Sequence, residues 1–172
     1  MNWRVRHGDI LDQPADVLIC SANLFLTLSG GVGGALLLRY GPSLQSELNE
    51  HLARHGRRYL ERGSVVVTEP PNTPYRAIIH AVVVNGFYES SPPVITEVIR
   101  AAFLAAAERG AGTVALTALA TGYGRLTLSQ FGEGLADPLS EEFPPIRGVA
   151  IVVRRREDVM DVSRAAPGVE PT

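Results

Sequence analysis

Two glycine-rich stretches hold the residue types best suited to chemistry. The first is Ser29, Gly30, Gly31, Val32, Gly33 and Gly34. It follows an apolar run over residues 16–20 that reads as a buried strand, and it precedes residues 35–40, which read as the start of a helix. Glycine has no Cβ, so its backbone N–H can come close to a ligand. A helix N-terminus adds unpaired N–H groups and a partial positive charge. Strand, glycine loop and helix together make a phosphate cradle. The competing account is a glycine turn with no ligand, because one such loop is weak evidence. The second stretch, Thr121, Gly122, Tyr123, Gly124 and Arg125, follows a strand expected over residues 113–119.

Several familiar chemistries are absent. No Gly-Lys-Ser/Thr follows the first loop, and Gly-x-Gly-x-x-Gly does not occur there, so neither an ATP nor an NAD signature is present. His51 and His55 have the spacing of a zinc pair, but no third ligand accompanies them, and a solvated helix face is the simpler reading. No metal site is expected. Cys20 ends an apolar run without a visible histidine partner and reads as a buried, inert thiol. His80 lies inside the apolar run over residues 76–84 and reads as a hydrogen-bonded core histidine. No Gly-x-Ser-x-Gly elbow is present. Asp9 and Asn23 each fall at a strand end. A carboxylate there can accept from an exocyclic amine, and a carboxamide can bond sugar hydroxyls. Taken singly, Asp9 is better explained as a turn residue and Asn23 as a residue in left-handed conformation.

The elements that must position these residues follow from periodicity. Residues 2–7 alternate as a half-exposed strand. Residues 43–55 place Leu44, Leu48 and Leu52 on one helical face. Arg57, Arg58 and Arg62 cluster in the next turn and read as a solvated connection. Strands are expected over 64–68, 76–84 and 148–154, and helices over 94–109 and 127–136. Residues after about 161 read as a loose tail, giving one domain over 1–160 and a tail over 161–172. Strands alternating with helices imply an α/β fold with a partly parallel sheet. Both glycine loops follow strands, so both can lie at the carboxyl edge, where open α/β sheets bind ligands.

Composition bounds the function class. The chain has 172 residues, 45% hydrophobic and 20% charged, enough for one packed domain. A net charge of −2 argues against nonspecific nucleic-acid binding. The lone cysteine allows no internal disulfide. No apolar segment resembles a signal peptide or approaches a membrane span, so a cytoplasmic protein with no membrane partner is expected.

Taken together, these residues resemble the macro domain, a family of ADP-ribose-binding three-layer α/β/α sandwiches with a central mixed sheet. The resemblance covers about residues 1–155. Gly8, Asp9 and Ile10 resemble the family's Gly-Asp-Ile, which implies that Asp9 accepts from the adenine amino group beside the Ile10 backbone. Leu18 to Asn23 is similar to Val-Asn-Ala-Ala-Asn, with Ala22 in the motif and Asn23 matching the residue that holds the distal ribose. Gly30, Gly31, Val32, Gly33 and Gly34 match the first phosphate loop. Thr121, Gly122, Tyr123, Gly124 and Arg125 look like the second, with Tyr123 flanking the distal ribose. Ile78, Ile79 and His80 are similar to Val-Ile-His. The chain also departs from the family. Cys20 stands in place of the first Asn, Ser29 in place of a glycine, and Gly33 where many hydrolytic members carry Asp. The second loop is short. No aromatic follows the last strand, so Val153 or Arg154 would cover the adenine.

The resemblance implies ADP-ribose as ligand and no cofactor. The partner is ADP-ribose itself or an ADP-ribosylated protein or nucleic acid, and the oligomeric state stays open. It implies hydrolysis of ADP-ribose from modified targets, with Asn23 and Tyr123 at the reacting end. The alternatives are a non-catalytic reader, an ADP-ribose 1″-phosphate phosphatase and an O-acetyl-ADP-ribose deacetylase. No effector domain accompanies the module in this sequence, which favours an enzyme.

Overall fold

The structure is a computed structural model that describes residues 1–166. The elements run β1 (Asn2–His7), β2 (Val17–Ala22), α1 (Gly31–Tyr40), α2 (Ser43–Arg54), β3 (Val65–Thr68), β4 (Ala77–Val82), α3 (Pro92–Glu108), β5 (Thr113–Thr117), α4 (Leu128–Ser140), β6 (Gly148–Val153) and α5 (Asp158–Ala165). A short 3-10 turn, Ile10–Asp12, follows β1.

One six-stranded sheet has the order β1-β6-β5-β2-β4-β3. Every pairing is parallel except that of β3 with β4. Strand β2 is central, with Val17 opposite Ala77 of β4 on one side and Val114 of β5 on the other. Alternation sends its side chains into two separate cores. Val17 and Ile19 join the residues of α3, α4 and α5. Leu18 and Cys20 join Leu36 of α1 and Leu44, Leu48 and Leu52 of α2. A strand covered on both faces reads as the continuous apolar run seen in the sequence. Helices therefore cover both sides of the sheet, giving the expected α/β/α sandwich.

Helix α1 begins at Gly31, not at residue 35 as expected. Its first ladder bond, from the Gly34 N–H to the Gly30 carbonyl, is 3.1 Å. Glycine disfavours a helix by about 1 kcal/mol per residue, but does not forbid one, and here it makes the helix N-terminus itself the loop.

Helix α4 runs through Pro138 to Ser140, past the expected end at residue 136. Proline removes the N–H that would bond the carbonyl four residues back. That carbonyl belongs to Gly134, and the Thr96 hydroxyl of α3 donates to it at 2.9 Å. Gly132 and Gly134 also have a packing reason. A Cβ at 134 would stand 2.6 Å from the Ile95 Cβ, and one at 132 would stand 2.7 Å from the Ala165 Cβ. Glycine thus lets α3 and α5 approach α4 from two sides.

The loose tail expected from residue 161 is corrected over residues 161–166. Helix α5 packs there on α4, with Val162 and Ala166 fully buried. Arg155 closes the start of α5 through Nη2 and Nε, at 2.8 and 3.1 Å from the Asp158 carboxylate. The short amphipathic run did not stand out in the sequence, because its partner surface is a glycine. Residues 167–172 of that expected tail lie outside the described residues.

Gly134→Ala should lower stability by about 1–3 kcal/mol in urea unfolding while leaving helix content by circular dichroism unchanged. Unaltered stability would mean that α3 and α4 separate freely and that the glycine is not a packing requirement.

Candidate functional site

Strand order dictates what meets at the carboxyl edge. β1, β6, β5 and β2 lie side by side and parallel. Their following segments therefore line up as Asp9 and Ile10, then Arg154, then the loop at 118–126, then Asn23 and the first glycine loop. The sequence-predicted residues from both loops and both flanks share one edge.

The two loops touch. A Cβ added to Gly30 would stand 2.7 Å from the Tyr123 hydroxyl oxygen and 3.1 Å from its Cε2, so the Tyr123 ring lies over Gly30. Tyr123 is otherwise exposed at 74%. The first-turn N–H groups of Gly31, Val32 and Gly33 lie ahead of the α1 ladder and face no intrahelical acceptor. Gly31 takes φ +56, in the left-handed region where glycine is favoured. Gly33 is buried, and its missing Cβ would stand 3.3 Å from the Leu28 Cα. Position 33 thus points back into the protein, and its N–H is the group available to a ligand.

The second loop turns sharply. Ala120 holds φ +61, and its carbonyl accepts from the Leu126 N–H at 3.2 Å. A Cβ at Gly124 would stand 2.8 Å from the Ala120 Cα, so this turn requires glycine. The Thr121 hydroxyl donates to the Ala118 carbonyl at 2.8 Å and belongs to the turn. Gly122 and Arg125 are exposed. Sequence reasoning missed Ser21, whose hydroxyl accepts from the Ala120 N–H at 3.2 Å and ties β2 to this loop.

Asn23 is less free than its type suggested. Its Oδ1 accepts from the Phe25 N–H at 3.0 Å and the Thr27 N–H at 3.2 Å, while Nδ2 donates to the Thr27 carbonyl at 2.8 Å. With both lone pairs and one N–H in use, one donor remains for a ligand hydroxyl. Asp9 is likewise shared. One carboxylate oxygen caps the turn through the Leu11 N–H at 2.9 Å, and the other lies 3.4 Å from Arg39 Nη2. Arg39, from the last turn of α1, also meets Asp12 at 2.6 Å. Nothing in the sequence marked it as a neighbour of Asp9. Ile10 and Ala22 are partly buried beside these residues.

The expectation for Val153 is corrected. It is 3% exposed and sits in the α3–α5 core with Val149 and Ile151, on the face that alternation assigns to odd positions of β6. Arg154 is exposed and remains as the surface beside Asp9.

Cys20 does have a histidine partner. Its Sγ lies 3.8 Å from His80 Nδ1, and His80 Nε2 lies 2.9 Å from the Thr68 hydroxyl, which donates to the Ile78 carbonyl at 3.4 Å. Every proton is satisfied when Cys20 donates to Nδ1 and Nε2–H donates to Thr68. Burial raises the thiol pKa to about 12 and lowers His80 to about 4. Both groups are therefore neutral, and the chain is structural.

A hollow of about 250 Å³ adjoins the Asn23 end, bordered by Ser29, Phe25, Asn85 and Tyr88. A larger one of about 400 Å³ lies around Met1 and Phe143–Arg147, at the amino edge, away from both loops. The His55 Nδ1 lies 2.8 Å from the His51 carbonyl oxygen. Among the described residues no group of three or more His, Cys, Asp or Glu could hold a metal ion.

The profile of the family described as Macro domain matches residues 19–131. An uncharacterised protein of Pyrobaculum aerophilum is 31% identical over 144 residues, 83% of this chain and 76% of that protein. The O-acetyl-ADP-ribose deacetylase of Enterobacter cloacae is 33% identical over 120 residues, 69% of this chain and 67% of that protein. Among solved structures, the Oceanobacillus iheyensis macrodomain with ADP shares the fold at TM-score 0.83 and 20% identity, covering 94% of this chain and 87% of that one. No helix of the described residues is long and apolar enough to cross a membrane.

His80 predicts a pH dependence. Its folded pKa lies below its unfolded value of 6.5, so its stabilising contribution is complete above pH 6.5 and is lost as pH falls toward 4. Urea unfolding at pH 7 and pH 4.5 should show lower stability at the acid value, and His80→Gln should shrink that difference. An undiminished difference in the variant would assign the acid sensitivity to other groups.

Proposed function

The chain belongs to the Macro domain family, and from that premise we propose that it binds ADP-ribose along the carboxyl edge and hydrolyses the bond from the distal ribose to its acceptor. The observation that carries this reading is the meeting of the two glycine loops, with the Tyr123 ring over Gly30 and the open N–H groups of α1 beneath. Those donors suit a pyrophosphate, which needs several N–H groups and tolerates no intervening side chain. Asp9 and Arg154 stand at the adenine end. Aspartate accepts from the amino group, and an arginine plane can lie on the base. Asn23 offers its remaining N–H to the distal ribose, and Tyr123 flanks it.

In the proposed reaction a water adds its hydroxyl to C1″. The bond from C1″ to the acceptor breaks with its electron pair going to the acceptor, and the water's proton is passed to that leaving group. Gly33 supplies no carboxylate to take this proton, so a phosphate oxygen of the bound ligand is the relay. The loops' work is orientation and charge stabilisation. The relatedness to a protein named O-acetyl-ADP-ribose deacetylase favours a second substrate, an acyl ester on the same ribose. There the acyl carbon receives the water's hydroxyl, its bond to the ribose oxygen breaks with the electron pair going to that oxygen, the water's proton follows, and the same cleft serves.

Calorimetric titration with ADP-ribose, with AMP and ATP as controls, should give an ADP-ribose-selective Kd of about 1 μM, near −8 kcal/mol. Gly30→Ala displaces the Tyr123 ring and should weaken binding about tenfold, equivalent to roughly 1.4 kcal/mol, with an unchanged melting temperature. Asn23→Ala should lower release of ADP-ribose from a modified peptide, or of acetate from O-acetyl-ADP-ribose. Equal binding of AMP and ADP-ribose would sink the two-loop reading, and full turnover in Asn23→Ala would remove that residue from the mechanism.

A further inference from the structure

Asp9 has two tasks at the proposed adenine end. It caps the turn after β1, and it must keep an oxygen directed at the base. Granted the reading above, in which Asp9 accepts from the adenine amino group, we infer that Arg39 is a positioning residue that makes the cleft select a 6-amino purine over a 6-oxo purine. It acts through Asp9 and does not touch the base.

Three contacts set the geometry. Arg39 Nη1 lies 2.6 Å from Asp12 Oδ1, and Nη2 lies 3.4 Å from Asp9 Oδ2. Asp9 Oδ1 accepts from the Leu11 N–H at 2.9 Å. The two arginine contacts are unequal. The short one anchors the guanidinium on Asp12. The long one orients Oδ2 by charge and uses little of its acceptor capacity, so a lone pair remains for an exocyclic amine. A planar fork lets one side chain address two carboxylates at a fixed angle. Among the described residues no other cation pairs with Asp9 or Asp12. The Asp9 side chain is half exposed, which leaves room for a base against it.

Both partners of Arg39 hang from a turn that is fixed underneath. Asp9 caps the 3-10 turn Ile10–Asp12, and Leu11 is buried below it. The Tyr75 hydroxyl donates to the Ile10 carbonyl at 3.1 Å and lies 3.3 Å from the Gln13 carbonyl oxygen. Burial pushes the Tyr75 phenol up, so it stays a donor. Arg39 itself belongs to the last turn of α1, which the Gly41 N–H closes on the Leu37 carbonyl at 3.0 Å. The helix whose first turn offers N–H groups to the phosphates thus carries, at its other end, the group that orients Asp9. With the turn and the helix both held, the free variable at this end is the direction of the Asp9 carboxylate.

Base chemistry supplies the consequence. Adenine carries an amino donor at C6 and an unprotonated N1. Hypoxanthine carries a carbonyl oxygen at C6 and a proton on N1. An ionised carboxylate can only accept. An oxygen held opposite C6 therefore attracts the amino group and repels the carbonyl. A carboxylate free to swing would turn to the N1 proton instead and take the 6-oxo base nearly as well. Selection between the two bases depends on holding Oδ2 still, more than on the charge of Asp9 alone. Arg39 does that holding. A part played only in packing α1 would affect both bases alike.

Calorimetric titration of the full chain with ADP-ribose and with its hypoxanthine analogue, IDP-ribose, tests this. The unaltered protein should prefer ADP-ribose about tenfold or more. Arg39→Ala should bring the two ligands within about threefold, with IDP-ribose binding more tightly than before. Arg39→Lys keeps a cation between the carboxylates without the fork and should restore part of the preference. Melting curves establish that each variant folds. If Arg39→Ala does not, Asp12→Asn, which releases the same guanidinium, decides on the same ratio. An unchanged preference overturns the inference. An equal loss for both ligands overturns it in favour of a packing role, and a sharper preference overturns it in favour of Arg39 donating to the 6-oxo group. An unaltered protein that binds both ligands equally also overturns it and leaves the two-loop cleft standing. One that binds neither takes the reading of the cleft down with it.

Discussion

Burial of β2 between two parallel neighbours is the constraint on which the cleft depends. Val17, Leu18, Ile19 and Cys20 are all fully buried, two toward each helical layer. A slip of one residue would exchange those faces and bring the Ser21 hydroxyl into a core. The register is therefore fixed, and with it the place where the chain leaves the sheet at Asn23. Strand β5 lies beside β2 in the same direction, so the loop after Thr117 must emerge at the same edge. The bond from the Ala120 N–H to Ser21 is the local consequence. Two glycine loops separated by some ninety residues meet because one strand cannot move.

What those loops offer is backbone. The proposed phosphate donors are the first-turn N–H groups of α1, and their reach depends on what is missing at each glycine. Gly30 leaves room for the Tyr123 ring, and Gly33 leaves room for Leu28 behind the loop. The two absences work in opposite directions. One lets the second loop close over the first, and the other lets the first loop sit down on its own core. A carboxylate at position 33 would have to push against the Leu28 backbone, whose Cα would stand 3.3 Å from the new Cβ. The residue that removes a general base is thus also the residue that permits the tight seat of this loop. In the proposed chemistry the proton then travels through the ligand, and the protein contributes position and dipoles.

The sequence showed the architecture well, because strand burial and helix faces are written in residue type. The continuous run over β2 and β4 and the Leu44, Leu48 and Leu52 stripe of α2 needed no partner to be read. Features that exist between elements were hidden. Helix α5 binds a surface whose key feature is the absent side chain of Gly132, and an absence carries no hydrophobic signal. The Cys20–His80–Thr68 chain joins three strands, and no spacing in the chain announces it. Val153 lies in the core, where alternation from Val149 puts it. Position at strand ends places Asp9, Asn23 and both loops on one edge. It could not show that Asn23 spends most of its hydrogen-bonding capacity on residues 25–27, or that Arg39 leans on Asp9, because both depend on side-chain direction.

Charge is distributed with a logic that the net value conceals. All sixteen cations are arginine, and they lie largely away from the phosphate loops. Where the pyrophosphate is proposed to lie, neutral N–H groups do the holding, and their strength rests on geometry and a helix dipole, which fade within the first turn. A neutral cradle attracts anions weakly at a distance and discriminates by shape at contact. Arg57, Arg58 and Arg62 do the reverse, drawing anions from farther away with little regard for shape. Had the arginines lined the glycine loops, ATP and other abundant polyphosphates would compete there on charge alone.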